Sequence, residues 1–155
     1  MPAIVDVKAE RKLNLKFSRT KVFNFLTNSE NIGKLFPKIE SKTKLGEEVW
    51  RLKFKSVVVS GVNHEIEFVI DITHDKTSNI KWSPKEGSNT NSKVLIVWVV
   101  SENGISDSIV TLELRGRYEV PVPRLMQRLA ETVIKDEVND HLNTAIEQLN
   151  LTTFG

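Results

Sequence analysis

The chain has 155 residues, of which 39% are hydrophobic and 27% charged, with a formal net charge of +2 and no cysteine. This length suits one domain that buries about 70% of its unfolded surface, so we expect residues 1–155 to form a single domain. The absence of cysteine excludes disulfides and thiolate chemistry, and the small net charge argues against a nucleic-acid partner.

The first predicted element is a half-buried strand over residues 4–17. One set of alternating side chains is mostly apolar and should face inward: Val5, Val7, Ala9, Arg11, Leu13, Leu15 and Phe17. The residues between them are charged or polar, which is the period-two pattern of a strand with one solvent-exposed face. Arg11 is the exception on the inward face.

Two short helices follow the first strand. Ser18 is a natural N-cap for the first, whose apolar stripe is Val22, Phe23 and Leu26. The Asn28-Ser29 pair caps the second, over residues 30–36, and Pro37 ends it because proline cannot continue a helix.

A series of strands comes next. Alternation predicts strands at residues 50–55, 63–74, 79–83, 93–101 and 105–120, separated by turn signals. Around Ser60-Gly61, a plain two-residue turn would place an inward residue opposite an outward one. The pleat forbids this, so we expect a three-residue turn or a bulge within residues 57–59. The basic side chains of residues 51–55 then face Glu65 and Glu67.

The chain closes with a helix predicted over residues 123–150, after Pro121 and Pro123 stop the last strand. Its apolar residues form two clusters more than 100° apart on the helix surface. A bent helix would produce this pattern, and so would a helix whose first half faces a cavity. We favour the second account, with Met126 and Leu129 over the cavity mouth.

These elements describe an α+β protein in which a curved antiparallel sheet of six to seven strands grips a long C-terminal helix. Their order resembles the START-related (SRPBCC, helix-grip) superfamily, which includes lipid-transfer proteins, polyketide cyclases and pollen-allergen-type plant proteins. The segment VFNFLTNSENIGKLFPKI, residues 22–39, resembles the helix–turn–helix found in the G subunit of carbon-monoxide dehydrogenase and in cyclase/dehydrase-like groups. The resemblance implies a hydrophobic pocket between sheet and helix. The glycine-rich loop of the plant branch is absent.

Three polar residues are candidates for contacts with a ligand in this pocket. Arg11 would anchor an acidic head group, or would reach water at the rim, or would pair with an acid such as Glu137. His64 would supply a hydrogen bond or a proton, or would be a satisfied structural histidine. Tyr118 would orient a carbonyl group, or would bond to the backbone.

Apolar candidates for the cavity wall are also consistent with plain core packing: Phe54, Phe68, Trp82, Met126 and Leu129. The sequence does not decide which face of the strand that carries Trp98 points inward, since both faces there are apolar. We expect no metal and no cofactor, because the three histidines lack metal-binding spacing. His64 and His74, for example, lie about 33 Å apart along a strand.

The sequence contains no familiar catalytic signature, which favours binding over catalysis. The leading hypothesis is binding or transport of a hydrophobic small molecule such as a lipid, isoprenoid, quinone or aromatic metabolite. The alternatives are a polyketide cyclase/dehydrase-like enzyme and an accessory maturation protein for a larger partner enzyme. Convergence of Arg11, His64 and Tyr118 on one ligand would support the enzyme.

The start of the sequence lacks signal-peptide features, and no apolar run reaches the roughly 18 residues of a membrane span. We therefore expect a cytoplasmic monomer or weak dimer without stable membrane insertion.

Overall fold

The computed structural model describes residues 2–154. The strands are β1 (Pro2–Leu15), β2 (Ile39–Gly46), β3 (Val49–Phe54), β4 (Val57–Val59), β5 (Val62–His64), β6 (Glu67–His74), β7 (Asn79–Pro84), β8 (Ser92–Glu102) and β9 (Ser108–Pro123). The α-helices are α1 (Arg19–Thr27), α2 (Ile32–Leu35) and α3 (Gln127–Leu151), and short 3₁₀ turns at Ser29–Asn31 and Arg124–Met126 precede α2 and α3.

Seven strands form one antiparallel sheet in the order β1-β9-β8-β7-β6-β3-β2, and β4 and β5 form a separate hairpin. The side chains of the inner sheet face and of α3 belong to one hydrophobic core. This confirms the predicted α+β architecture with a sheet around a long C-terminal helix. None of the helices within residues 2–154 combines the length and the apolarity that crossing a bilayer requires.

The alternation of the sequence sets the inner face of the sheet correctly. On β8, Val94, Ile96, Trp98 and Val100 are buried, which shows that Trp98 faces inward. At the first helix, the side chain of Ser18 accepts a hydrogen bond from the backbone N–H of Lys21, as its role as N-cap requires.

Strand β2 has no counterpart among the predicted elements. It lies at the edge of the sheet, and most of its side chains are exposed. Its sequence, IESKTKLG, therefore lacks the alternation of apolar and polar residues by which a half-buried strand is recognised.

The hairpin around Ser60-Gly61 needs the predicted correction of register, but the structure makes it elsewhere. Ser60 and Gly61 both have positive φ and form a two-residue turn that pairs Val59 with Val62. The register shifts between this hairpin and the β3–β6 ladder, at residues 55–56 and 65–66, rather than within residues 57–59.

The expected neutralisation of the basic side chains is observed at two positions of β3. Arg51 lies 2.8 Å from Glu67, and Lys53 lies 3.3 Å from Glu65.

The prediction that Pro121 and Pro123 stop the last strand is wrong. Strand β9 continues through Pro121, and Pro123 pairs with Pro2. The pairing with β8 has already ended, because Ser92 at the start of β8 lies opposite Tyr118. A proline N atom that faces no neighbouring strand interrupts no hydrogen bond of the ladder.

The buried face of α3 also differs from the prediction. Its members form one continuous stripe at helical spacing: Ala130, Ile134, Val138, His141, Leu142, Ala145 and Leu149. In the first predicted cluster, Leu125 is 90% exposed and Leu129 is 43% exposed. Ala130 of the same cluster belongs to the buried stripe, and Met126 and Val133 pack against the core. The first cluster thus contributes in part to the buried face, and a bent helix is not needed to explain the pattern.

Asn91 forms hydrogen bonds that connect the segment after the β4–β5 hairpin to the main sheet. Its side-chain amide donates to the carbonyl of Glu65 at 2.6 Å and accepts from the N–H of Glu67 at 3.4 Å. Its backbone carbonyl accepts from the N–H of Glu119 on β9. One residue therefore joins the start of β6 to β9.

We expect Asn91→Ala to lower the free energy of unfolding by about 0.5–1.5 kcal/mol, because the backbone groups of Glu65 and Glu67 lose their hydrogen-bond partner. Hydrogen exchange should accelerate at residues 57–67. Asn89→Ala, in the exposed part of the same loop, is the matched control and should change neither quantity. Unaltered exchange in Asn91→Ala would show that the hairpin is held by its apolar contacts alone.

Candidate functional site

A small internal cavity lies between the inner sheet face and the middle of α3. Its wall is formed by residues of the sheet, of α3 and of the segment after α2: Phe36, Phe54, Ile66, Phe68, Val94, Ile96, Leu114, Tyr118, Val138 and His141. Its volume is about 20 Å³. That is room for about one water molecule, so the structure is closed around this space.

Aromatic rings occupy the space beside the cavity. Phe54 stacks on Phe68 with ring centroids 5.5 Å apart, and Phe36 packs edge-on against Phe54 at 6.3 Å. Phe36 also contacts Trp82, which in turn lies 6.0 Å from Trp98. A larger ligand would therefore have to displace one or more of these rings.

Two polar side chains, Tyr118 and His141, belong to this otherwise apolar wall. Tyr118 is 2% exposed, and burial raises the pKa of its hydroxyl, so the phenol is neutral at physiological pH. His141 is 8% exposed, and its ring packs against Phe54 at 4.7 Å. Both groups are able to form hydrogen bonds to the polar end of a ligand.

Charged side chains lie behind His141. Oε1 of Glu137, one helical turn earlier, is 3.2 Å from Nε2 of His141, although the two atoms are not aligned for a hydrogen bond. Lys38, from the segment between α2 and β2, lies 3.5 Å from Glu137 and forms a closer ion pair with Asp140.

The pKa values of this group follow from these contacts. Burial lowers the pKa of His141 and outweighs the Glu137 carboxylate, which acts to raise it. The hydrogen bond between Lys38 and Asp140 raises the pKa of the lysine and lowers the pKa of the aspartic acid. The imidazole is therefore neutral at pH 7, beside an ionised cluster.

The structure places Phe54, Phe68 and Tyr118 in the cavity wall. Trp82 lies in a second layer behind Phe36. Their part in ligand binding remains a prediction.

Arg11 does not reach the cavity. Its Nε donates to Oδ1 of Asn143 at 2.8 Å, and its Nη2 donates to Oδ1 of Asn139 at 2.7 Å. Its Nη1 donates to the carbonyl of Glu10. β1 is an edge strand that packs against α3, so an inward-facing side chain on it lies at the rim of the sheet. Arg11 therefore links β1 to the helix through hydrogen bonds. This matches the rim alternative, with amides as partners in place of Glu137.

His64 is buried, and burial lowers its pKa, but it lies outside the cavity wall. It lines a surface groove near Pro2 and Pro121. Arg11, His64 and Tyr118 therefore do not converge in one cavity. Their convergence on one ligand is the arrangement that would have supported an enzyme.

Met126 and Leu129 lie near the start of α3, whereas the helix residues of the cavity wall begin at Val138. Leu129, the nearer of the two, lies about 14 Å from Val138 along the helix axis. The cavity is under the middle of α3 and not under its first turns, so the structure does not place these two residues over its mouth.

Seven wall residues are missing from the site candidates drawn from the sequence: Phe36, Ile66, Val94, Ile96, Leu114, Val138 and His141. His141 lies three residues after Val138 and four before Ala145, which is the spacing of a buried helix face. That spacing is the feature of the sequence from which the burial of His141 could have been predicted. For Phe36 the sequence indicated only that it precedes the proline that ends the helix.

Comparison with known proteins identifies the fold. No family model matches the chain, and no curated protein matches it in sequence. A START superfamily protein from Mycobacterium smegmatis is similar in structure, with a TM-score of 0.62 at 17% identity over 94% of this chain and 99% of that one. This chain has the START-related, helix-grip fold.

Two enzymes share this fold at lower similarity. An aromatase/cyclase from Streptomyces sp. R1128 gives a TM-score of 0.57 at 12% identity, over 93% of each chain. Norcoclaurine synthase from Thalictrum flavum, in complex with dopamine and hydroxybenzaldehyde, gives 0.57 at 11% identity, over 96% of this chain and 88% of that one. At such identities the likeness concerns the helix-grip fold alone.

Gly116 allows the ring of Tyr118 to lie flat along β9. A Cβ atom at position 116 would be 2.6–2.8 Å from the ring and hydroxyl atoms of Tyr118. The room that a glycine leaves on the inner face is thus filled by the neighbouring tyrosine.

Gly116→Ala should therefore lower the free energy of unfolding by about 1–3 kcal/mol, measured by urea denaturation, because the buried ring must move. Gly33→Ala is the control, since a Cβ there meets nothing within 4 Å. If both variants were as stable as the parent, the Tyr118 ring would have free space elsewhere in the cavity.

Proposed function

We propose that this protein binds a hydrophobic small molecule in the space between the sheet and α3. The observation that carries the proposal is the composition of the cavity wall, which is apolar and aromatic except for Tyr118 and His141. A mostly apolar pocket with a few polar groups is the usual form of a binding site for a small organic ligand. The helix-grip fold of the chain is consistent with this function.

Binding requires the cavity to widen, because its present volume of about 20 Å³ accepts no organic molecule. Phe36 is the wall residue best placed to move, since it lies between a four-residue helix and Pro37 and not within the sheet. The ligand-free protein is then a closed state, and the apparent affinity is reduced by the fraction of molecules that are open. We expect weak binding of short ligands and stronger binding of ligands that fill the widened space.

The first test uses a substitution that fills the cavity. Val138→Phe should abolish uptake of the fluorescent probe N-phenyl-1-naphthylamine, because Val138 is 2% exposed and lines the cavity. Overpacking should also cost about 1–3 kcal/mol, so a thermal melt must confirm that the variant is folded.

Val133→Phe makes the same change on α3 at a half-buried position outside the cavity wall, and it should leave probe uptake unchanged. Native mass spectrometry of protein purified from its own host should show a bound mass that is lost on denaturation. A parent protein that takes up no probe and carries no ligand would contradict the proposed function, as would full uptake by folded Val138→Phe.

A second candidate function is that of an accessory protein for a larger enzyme, and two observations favour it. The cavity is nearly filled, and large apolar side chains are exposed at Leu125 and Leu129. Val58 and Val62, on the β4–β5 hairpin, are 59% and 38% exposed. His64 of β5 lines the same surface groove as Pro121, near the end of β9 that leads to Leu125 and α3.

Under this candidate function, Leu125→Asp should remove a partner enzyme that co-purifies with the parent protein from its own host. Leu151→Asp is the matched control, since Leu151 is 68% exposed near the other end of α3. Quantitative mass spectrometry of the two eluates provides the measurement. Equal recovery of the partner with both variants would exclude this end of the molecule as its docking surface.

A further inference from the structure

His141 is the one side chain of the cavity wall, within residues 2–154, that can become a cation near neutral pH. Tyr118, the other titratable member of the wall, stays neutral because burial raises the pKa of its hydroxyl. The remaining wall residues are apolar. The chemistry of His141 therefore decides which charged end of a ligand this cavity can accept.

Charged and polar side chains near His141 come from several elements of the structure. Glu137 and Asp140 lie on α3, Lys38 lies on the segment after α2, Tyr118 lies on β9, and Phe54 on β3 is uncharged. Arg11 on β1 is directed to Asn139 and Asn143. At about 100° per residue, those two positions lie on the opposite side of the helix from His141.

With a neutral imidazole, the group of Lys38, Glu137, Asp140 and His141 carries a net charge of −1. A carboxylate that entered the cavity without a proton would make the net charge −2 in an apolar setting, at a large cost in desolvation. If His141 takes up one proton as the carboxylate enters, the net charge returns to −1. The imidazolium is then flanked by the ligand on the cavity side and by Glu137 behind it.

A ligand with an amine end fits the cavity less well. An ammonium group needs a carboxylate partner when it leaves water. Glu137 and Asp140 are not part of the cavity wall, and Lys38 already lies beside both of them. The wall offers an ammonium group only a phenol and an imidazole.

We propose that the cavity is selective for a hydrophobic ligand with a carboxylic acid end, and that His141 takes up one proton when this ligand binds. The inference rests on the proposed function and specifies its ligand class. The proton comes from solvent, it is held on the imidazole in the complex, and no covalent bond is formed.

This proton uptake sets the sign of the pH dependence. In the free protein burial lowers the pKa of His141, and a bound carboxylate raises it. Between the two values binding consumes one proton, so affinity for the acid falls as pH rises through this window. A neutral ligand of equal length has no such linkage.

The test compares decanoic acid with 1-decanol, by displacement of N-phenyl-1-naphthylamine at pH 6, 7 and 8. For the parent protein, the Kd of the acid should rise with pH by up to about tenfold per unit, while the Kd of the alcohol stays constant. Calorimetry in two buffers with different ionisation enthalpies should show uptake of up to one proton with the acid and none with the alcohol. These measurements need no variant, so they do not depend on whether a substitution is tolerated.

His141→Gln should weaken binding of the acid by about tenfold or more at pH 6 and leave binding of the alcohol unchanged. His74→Gln is the control, because His74 is exposed at the end of β6 and lies outside the cavity wall.

The outcomes separate the two proposals. If neither compound binds, the proposed function fails together with the inference. If both bind with the same pH profile, the cavity binds ligands but His141 does not select acids. A pH dependence for the acid that persists in His141→Gln would place the proton on the ligand and would also overturn the inference.

Discussion

The packing of α3 across the inner face of the sheet is the contact on which the rest of this structure depends. Its stripe from Ala130 to Leu149 is almost fully excluded from water and joins the same core as the inner side chains of the sheet. Since protein interiors are close-packed, the volume left between helix and sheet depends strongly on the size of the side chains that line it. Here the rings of Phe36, Phe54 and Phe68 reduce that volume to about one water molecule.

The closed cavity limits how the protein can act. Under the proposed function, a ligand would replace ring–ring contacts with contacts of its own, so part of its binding free energy would be used to open the structure. The same filling stabilises the ligand-free protein, because an empty apolar cavity of larger size would cost stability. Under the proposed function, the aromatic side chains that stabilise the closed protein would also lower its affinity for a ligand. Among them Phe36, beside a short helix, is the one least constrained by the sheet.

Much of the fold could be predicted from the sequence, because period-two alternation and helix caps are local signals. The strand β2 could not, since an edge strand with exposed side chains carries no apolar pattern. For Arg11 the sequence left the environment open between a ligand anchor and the rim, because parity does not tell whether a strand lies at the centre or at the edge of a sheet. His141 was missed for the converse reason: a histidine at a buried helical position acquires its meaning only from Tyr118 and Phe54, which are distant in sequence.

The buried histidine is a cost to the fold that its apolar neighbours do not offset. Nε2 of His141 has no hydrogen-bond partner among residues 2–154, and Glu137 lies close to it without the alignment that would satisfy it. Unsatisfied polar groups in a core are rare and call for an explanation. Leucine at this position would continue the apolar stripe at no such cost. An ionisable ring at the boundary between a closed apolar space and the charges of Lys38, Glu137 and Asp140 adds no stability, but it is the group that the proposed binding of an acid requires.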